Sequence, residues 1–151
     1  MREEDVEAVV RVWHASGRAA YTFIELWQRF TLDQARKVFR EHIAVECEVW
    51  VVETEAGIVG YLALQRSYVS RLYVSPQHQR HGIGTALLMH AMQRQPAGLE
   101  LHTHQKNTRA REFYEQHGFV PVRYGISPSP ENEPDVEYHW RPRAEPEQQS
   151  G

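Results

Sequence analysis

LYVSPQHQRHGIG, residues 72–84, carries the chain from a strand through a glycine-bearing loop directly into a helix. In such a loop, successive backbone N–H groups can point into one concavity, the helix dipole favours negative charge, and glycine lets a phosphate approach the main chain. The spacing is Gln79-x-x-Gly82-x-Gly84, which is neither G-x-G-x-x-G nor a Gly-Lys-Ser/Thr loop. We therefore predict an anion-binding loop outside the common nucleotide fingerprints.

Towards the N-terminus, the periodicity predicts two helices. Apolar residues spaced as one helical face indicate a first helix from Glu3 to Ser16, with Gly17 as its stop. The run Thr31–Gln34 is a capping box and predicts a second helix that continues to about Val45.

Segments rich in β-branched and aromatic residues predict strands, and three of them follow one another as an antiparallel meander. The meander strands are residues 48–53, 58–64 and 68–74. Further elements are a helix at 85–93, a strand at 99–103, a helix at 108–116 and strands at 119–125 and 135–141. The fold class is α/β or α+β, a single domain with one mixed, largely antiparallel sheet flanked by helices. The domain would span residues 1–143, and residues 144–151 would be a disordered tail.

Composition and charge exclude several classes of function. The chain has 17 Lys and Arg against 20 Asp and Glu, a net charge of -3, and lacks the basic surplus that nucleic-acid binding needs. No apolar run reaches the roughly 20 residues of a membrane span, and the first residues lack the order of a signal peptide. Cys47 is the single cysteine, which excludes an intramolecular disulfide and favours a reducing compartment. We expect a cytoplasmic protein with no nucleic-acid or membrane partner.

A second informative block is residues 101–119, LHTHQKNTRAREFYEQHGF. The two blocks together resemble the GNAT family of acetyl-CoA-dependent N-acetyltransferases, whose signature is Q/R-x-x-G-x-G/A after a strand, followed later by Asn and an FYE-x-x-GF run. The resemblance spans roughly residues 48–141. It implies the GNAT fold and direct transfer of an acetyl group from acetyl-CoA to a primary amine, without a covalent enzyme intermediate.

The resemblance also implies which residues hold acetyl-CoA, the co-substrate. Main-chain amides would bind its pyrophosphate at Gln79, Arg80, His81, Gly82, Ile83, Gly84 and Thr85. The pantetheine arm would run as an extra strand beside residues 68–74, where the family's sheet splays apart. Backbone groups of Leu72 and Val74 would pair with it, Tyr73 between them belongs to the same cofactor-binding segment, and Asn107 would hydrogen-bond the pantetheine.

Tyr114 matches the family tyrosine that protonates the leaving thiolate, and the alternative is a core aromatic residue beside Phe113. The general base is less clear, because Tyr68 stands where some members have a glutamate. His102 and His104 are candidates, since imidazole suits proton transfer near neutral pH. Surface or cofactor-rim positions, a water chain as the base and a His-x-His metal pair are the alternatives, although no third metal ligand has suitable spacing. We predict no metal.

The N-terminal half matches the family less well. The family's usual first strand is truncated or missing here, which bears on the stability of the sheet edge and on dimerisation. A homodimer is among the partners we expect. Tyr21, Phe23 and Trp27 could line an acceptor pocket or belong to the core. Cys47 is interpreted as a buried apolar thiol.

Three functions compete at this point. The first is acetyl transfer to an amine of a small molecule, peptide or protein. The second is a non-catalytic acyl-CoA-binding sensor or partner module on the same fold, against which Tyr114 argues. The third is phosphate or nucleotide binding without coenzyme A, which conflicts with the second block. Neither the acceptor nor the oligomeric state can be read from the sequence.

Overall fold

The computed structural model describes residues 1–142, so the predicted tail at 144–151 lies outside the described residues. The helices are α1 Val6–Ala20, α2 Glu25–Arg29, α3 Leu32–Val38, α4 Ala44–Glu46, α5 Ile83–Arg94 and α6 Thr108–Gln116. The strands are β1 Glu48–Thr54, β2 Gly57–Gln65, β3 Tyr68–Val74, β4 Leu99–His104, β5 Val120–Ile126 and β6 Pro134–Trp140. These bounds agree closely with the predicted strands and with the predicted helix at 108–116.

One sheet contains all six strands in the order β1-β2-β3-β4-β6-β5. β1, β2 and β3 form the predicted antiparallel meander, and β4, β6 and β5 are also antiparallel to their neighbours. Between these halves, β3 and β4 run parallel and share a single residue pair, Tyr68 with Glu100. The strands part beyond this pair, so the sheet is open beside the C-terminal part of β3, as the resemblance implied.

Each face of the sheet carries an apolar core. The core beneath α5 and α6 includes Leu62, Leu88, Leu101 and Tyr138. The core beneath α1 and α3 includes Val9, Trp13, Phe39 and Tyr61. Helices therefore flank a mixed, largely antiparallel sheet on both sides, and the predicted fold class is confirmed.

A bulge in β3 controls which face its side chains occupy. Ala63 lies opposite Arg71 whereas Leu64 lies opposite Val69, so Ser70 is the extra residue. Val69 packs into the core beneath α5 and α6, while Arg71 lines a cavity on the opposite face. Two residues separated by one position would share a face in a regular strand, and the bulge places them on different faces.

The N-terminus contains no strand before α1. Glu3–Asp5 form a single 3₁₀ turn, so the family's first strand is absent from this region, as predicted. The amino group of Met1 instead donates to the carbonyl oxygen of Val49 on the outer strand β1, at 3.1 Å. Within residues 1–142, we find no helix with the length and apolar character needed to cross a membrane.

Gly17 lies inside α1, which continues to Ala20, so the predicted stop at Gly17 is wrong. A Cβ atom at this position would overlap the ring of Trp27. Glycine is used here because it lets α2 pack closely against α1, and not because the helix ends.

The predicted capping box is confirmed. Thr31 Oγ1 accepts from the Gln34 N–H at 3.1 Å, and Gln34 Oε1 accepts from the Thr31 N–H at 2.9 Å. The helix that follows consists of α3, a π-helical turn at Phe39–Ile43 and α4. It ends at Glu46, one residue beyond the predicted boundary.

Candidate active site

The open edge of β3 presents backbone groups to the gap between β3 and β4. The Ser75 N–H donates to the Val59 carbonyl at 2.8 Å, which sets the alternation of the antiparallel ladder with β2. Tyr73 therefore directs its backbone groups towards β2, whereas those of Leu72 and Val74 face the gap. This is the arrangement that an added strand needs, and the backbone of Tyr73 cannot take part in it.

Gln79 ties the loop to the end of β3 and to α6. Its Nε2 donates to the Val74 carbonyl at 3.3 Å, and its Oε1 accepts from Arg109 Nη1 at 3.0 Å. The Ser16 hydroxyl also donates to the Val74 carbonyl, at 2.8 Å. The carbonyl at the end of β3 is thus already occupied, which leaves the N–H groups of the open edge as the available partners.

The loop has the backbone geometry expected of an anion cradle. Arg80 and Gly82 both have positive φ, 69° and 78°, and Gly82 is the N-cap of α5. The helix begins at Ile83, two residues before the predicted Thr85, because Gly82 can adopt this left-handed cap. The first N–H groups of a helix have no intrahelical acceptor, so those at residues 83–85 remain available to a ligand. Apart from its chain neighbours and the backbone of its own helix, no atom of the described residues 1–142 lies within 4 Å of a Cβ built at Gly82.

The remaining predicted cofactor residues surround this cradle. His81 is exposed, and Gly84 packs with its Cα against Phe113, whose ring lies 3.4 Å from a built Cβ. The Thr85 hydroxyl lies 3.2 Å from Nε2 of His117. Asn107 is the N-cap of α6, since its Oδ1 accepts from the Ala110 N–H at 3.2 Å. The unpaired N–H groups at the N-terminus of the twelve-residue helix α5 are a set of donors that fits a pyrophosphate.

Tyr114 projects from α6 among the rings of Phe113, Phe119 and Tyr138. The residue is 8% exposed, and its hydroxyl has no hydrogen bond to any residue in 1–142. Burial raises the pKa of Tyr114 well above the usual tyrosine value, and the nearby Tyr73 and Tyr68 hydroxyls raise it further. The Tyr114 hydroxyl is therefore protonated at neutral pH and has no hydrogen-bond partner within residues 1–142.

A cavity of about 560 Å³ opens on the opposite face of the sheet, beneath α1 and α2. Tyr21 and Trp27 line this cavity, whereas Phe23 packs beside it against His104. The polar and charged side chains in its wall are Tyr68, Ser70, Arg71, Tyr73, His102, Thr103, His104, Arg123, Ser127, Glu131, Asp135 and Glu137.

A chain of polar contacts runs along this wall from Tyr68. Its hydroxyl lies 2.9 Å from Nδ1 of His102, and Nε2 of His102 lies 3.3 Å from Glu137 Oε1. Glu137 Oε2 contacts Nε2 of His139 at 2.7 Å. The hydrogen bond from His139 lowers the pKa of Glu137, and the nearby His102 lowers it further. The chain can accept a proton at one end and stabilise it with a carboxylate at the other.

His104 belongs to a different group. Its Nε2 lies 3.2 Å from Glu131 Oε2, which also accepts from Trp27 Nε1 at 3.3 Å. These contacts, the one with His104 first, lower the pKa of Glu131. The His104 ring also packs edge-on against Tyr21, with 4.9 Å between ring centroids. His104 is thus held in the cavity wall by contacts on several sides.

The residues described here contain no group of three His, Cys, Asp or Glu side chains that could hold a metal ion. His102 faces Glu137 on β6, whereas His104 faces Glu131 in the loop before β6, so the two rings contact different carboxylates. Cys47 is half-exposed beside Ser70 and Arg71, so the predicted burial of this thiol is wrong. Partial burial still raises the pKa of Cys47, which keeps it a thiol at neutral pH.

Comparison with known proteins agrees with this geometry. The family model of the acetyltransferase (GNAT) domain matches residues 45–121. The peptidyl-lysine N-acetyltransferase YjaB of Salmonella typhimurium is 29% identical over 119 residues, which cover 78% of this chain and 79% of the relative. The peptidyl-lysine N-acetyltransferase YiaC of Escherichia coli is 26% identical over 121 residues, with 78% and 79% covered. The solution structure of apo YjaB from Escherichia coli superimposes with a TM-score of 0.77, at 24% identity and 93% coverage of both chains.

The chain belongs to the GNAT family of acetyltransferases. Its activity is that of an acyltransferase, which moves an acetyl group from acetyl-CoA to an amine. The competing interpretation as a non-catalytic acyl-CoA-binding module is not favoured.

The sequence interpretation missed most of the cavity's charged residues. Arg71, Glu131, Asp135 and Glu137 all line the cavity, and none was singled out. A signal for two of them was available, because Asp135 and Glu137 alternate with Val136 and Tyr138 along β6. In a strand with one buried face, that alternation assigns both carboxylates to the other face.

Proposed function

We propose that this acetyltransferase acts on a lysine-type primary amine, presented either by a peptide or by a small molecule. The observation that carries the proposal is the gap between β3 and β4. This gap lies between the anion cradle at α5 and the polar cavity beneath α1 and α2, so acetyl-CoA and an acceptor amine can meet there. Two relatives are named peptidyl-lysine N-acetyltransferases, which supports lysine as the acceptor type.

In this proposal, the N–H groups at residues 79–85 bind the pyrophosphate of acetyl-CoA, and those of Leu72 and Val74 pair with its pantetheine arm. Acetyl-CoA supplies a thioester whose acyl carbon is open to attack by an amine. The main-chain donors at the edge of β3 also stabilise the negative charge that develops on the carbonyl oxygen. Arg80 and His81 contribute mainly through their backbone, since both side chains are exposed.

Tyr114 acts as the general acid. Its raised pKa keeps the hydroxyl protonated at neutral pH, and its lack of a hydrogen-bond partner leaves the proton free for the departing sulfur. The tight packing of its ring on Phe113 and Phe119 fixes the direction of the hydroxyl.

His102 acts as the general base through Tyr68. The proton of the attacking amine moves to Tyr68 Oη while Tyr68 passes its own proton to Nδ1 of His102, 2.9 Å away. Glu137 then stabilises the imidazolium from the other side of the ring. The His102 side chain is 41% exposed, so it can return the proton to water.

Asp135 selects for a cationic acceptor. Its carboxylate is buried in the cavity wall, and it has no hydrogen bond or ion pair with another side chain in residues 1–142. A buried charge without a partner is costly, and an ammonium group from the acceptor would supply that partner. A homodimer and a cytoplasmic location stay predictions from the sequence.

The test is incubation of the purified protein with acetyl-CoA and a set of lysine peptides and small diamines, with detection of free thiol and of acetylated product by mass spectrometry. Thiol release that depends on the acceptor supports the proposal. Binding of acetyl-CoA without transfer to any amine would contradict it and would favour the non-catalytic module. Asp135→Asn serves as the specificity control, because it should raise the KM for the acceptor and leave acetyl-CoA binding intact.

A further inference from the structure

Arg71 is a charged residue of the cavity wall for which the proposed mechanism has no use. No carboxylate within residues 1–142 lies close enough to form an ion pair with it. Its Nη1 donates to the backbone carbonyl of Ser70 at 2.8 Å, and its Nε is buried without any partner. The guanidinium lies over the ring of Trp13, with its central carbon 5.2 Å from the ring centroid.

Within residues 1–142, two other arginines are half-buried, and both have side-chain partners. Arg111 donates to the hydroxyls of Tyr138 and Tyr124. Arg36 is paired on both sides, with Glu7 at 2.7 Å and Asp33 at 2.6 Å. A partly buried guanidinium that holds several N–H donors without an acceptor loses hydration and recovers nothing in return. Arg71 is therefore prepared for an anionic partner that comes from outside the chain.

The carboxylates of the cavity do not serve as that partner. Glu131 is engaged by His104 and Trp27, and Glu137 is engaged by His102 and His139. The cavity thus has the half-buried, unpaired guanidinium of Arg71 in one wall and the unpaired carboxylate of Asp135 in another. Arg123 also lines the cavity without an ion pair in residues 1–142, but this residue is exposed and keeps its hydration. A ligand with both a positive and a negative group would satisfy both walls.

We propose that Arg71 binds a carboxylate of the acceptor, so that the preferred substrate is a primary amine that also carries a carboxylate. This inference rests on the proposed function and narrows it. Arg71 and Val74 are three residues apart, about 10 Å along the strand at about 3.3 Å per residue. The Arg71 side chain covers part of this distance, so a lysine that carries its own α-carboxylate, or a lysine next to an acidic residue, can place its amine at the open edge while its carboxylate meets Arg71. The planar fork of arginine fits a carboxylate with two parallel hydrogen bonds.

The two sources of the carboxylate can be separated with matched acceptors. L-Lysine and cadaverine differ only in the α-carboxylate. The blocked dipeptides acetyl-Lys-Asp-amide and acetyl-Lys-Asn-amide differ only in a side-chain carboxylate. We expect the preferred member of at least one pair to be the acid, by about 10- to 100-fold in kcat/KM, the range of a charged hydrogen bond.

Variants of Arg71 assign that preference to its side chain. In Arg71→Gln, the KM for the carboxylate acceptors should rise about 10- to 100-fold, while the KM for cadaverine and the Asn dipeptide stays within about twofold. The KM of Arg71→Lys for the carboxylate acceptors should lie between those of the wild type and Arg71→Gln, because lysine keeps the charge and loses the planar fork of donors. Arg66→Gln is the control, since Arg66 is exposed in the turn before β3 and does not line the cavity. Retention of the acetyl-CoA-induced rise in melting temperature shows that each variant is folded.

Equal rates for both members of both pairs, or an equal loss on all acceptors in Arg71→Gln, would overturn the inference. If no amine is acetylated, the proposed function fails and the inference is decided by binding. Calorimetric titration with Nε-acetyl-lysine and with N-acetylcadaverine, in the presence of coenzyme A, provides that readout. Tighter binding of the acid that disappears in Arg71→Gln supports the carboxylate subsite, and equal binding refutes it.

Discussion

The hydroxyl of Tyr68 lies 2.9 Å from Nδ1 of His102, immediately beyond the single residue pair that joins β3 to β4. Where the backbones of the two strands separate, these side chains still connect them. The family's glutamate position is thus occupied by a residue that cannot itself be a base at neutral pH but is bonded to one that can. This relationship leads to the first prediction.

Tyr68→Phe and His102→Gln should each lower kcat about 10- to 100-fold, because each breaks the same route for the amine proton. The double variant should lose little more than either single variant, since groups in one network are not additive. Steady-state kinetics at saturating acetyl-CoA would measure both effects. His42→Gln is the control, because His42 is exposed in the π-helical turn Phe39–Ile43. Full activity in Tyr68→Phe alone would show that His102 takes the proton directly.

Tyr114→Phe should lower kcat about 10- to 100-fold and leave acetyl-CoA affinity nearly unchanged, because the ring keeps its packing and only the proton donor is lost. A thiolate is a fair leaving group, which favours the lower end of this range. Single-turnover rates would show the change in the chemical step itself. An unchanged chemical rate would leave Tyr114 with a packing role only.

The raised pKa of Tyr114 also has a consequence for stability at alkaline pH. In the unfolded chain, the phenol ionises near its ordinary pKa of about 10, whereas the folded state keeps it neutral to higher pH. Stability is therefore fully present below about pH 10 and falls as the pH rises above it. Denaturant unfolding between pH 8 and 11 should show a smaller loss for Tyr114→Phe than for the wild type. If the free energy of unfolding falls equally with pH in the wild type and in Tyr114→Phe, the raised pKa of Tyr114 is contradicted.

Gly82→Ala should weaken acetyl-CoA binding at least about tenfold, because a Cβ would enter the cradle and a left-handed backbone costs a non-glycine residue about 1–2 kcal/mol. Gly57→Ala is a close control, since Gly57 also has positive φ and, apart from its chain neighbours, no atom of residues 1–142 lies within 4 Å of a built Cβ, but it lies at the start of β2. Both variants should lose similar stability in thermal melts, and only Gly82→Ala should bind the ligand less tightly by calorimetry. Arg80→Ala should have a smaller effect on binding than Gly82→Ala, and the reverse order would exclude a backbone cradle.

For Gly17→Ala, two effects predict opposite signs for the change in the free energy of unfolding. Helix propensity alone would stabilise the protein by up to about 1 kcal/mol, because alanine replaces glycine inside α1. Overlap with the Trp27 ring predicts the opposite, a loss of about 1–3 kcal/mol typical of overpacking. Urea unfolding distinguishes the two, and a rise in the acceptor's KM should accompany the loss because Trp27 lines the cavity. A stabilised variant would mean that α2 can move away at no cost.

The sequence indicated those parts of the fold whose signals are local. The meander, the capping box at Thr31 and the helix at 108–116 depend on alternation, side-chain capping and periodicity within a few residues. The errors came from long-range packing. Gly17 has the same local signature whether it ends a helix or admits a tryptophan from another helix, and only the position of Trp27 distinguishes the two.

The candidate site divides in the same way. The cradle at residues 79–85 and Tyr114 lie in contiguous motifs, so a sequence pattern can reveal them. The cavity is assembled from α1, α2, β3, β4, β5, β6 and the loop after β5, and no short pattern records which of their side chains meet. The pairing of His102 with Glu137 follows from the register of β4 against β6, a property of two strands far apart in the chain.

The bulge at Ser70 makes β3 one residue longer than its ladder with β2 requires. If Ser70 were removed, Val69 and Arg71 would become neighbours and would still point to opposite faces, so the core and the cavity would keep their present occupants. What would be lost is the carbonyl that now holds Arg71 and the local bend that comes with a bulge. The strand can therefore gain or lose this residue without disturbing the edge formed by Leu72 and Val74. Donor binding and acceptor choice are thus separable along a single strand, and a lineage could change its substrates there while its use of acetyl-CoA is inherited unchanged.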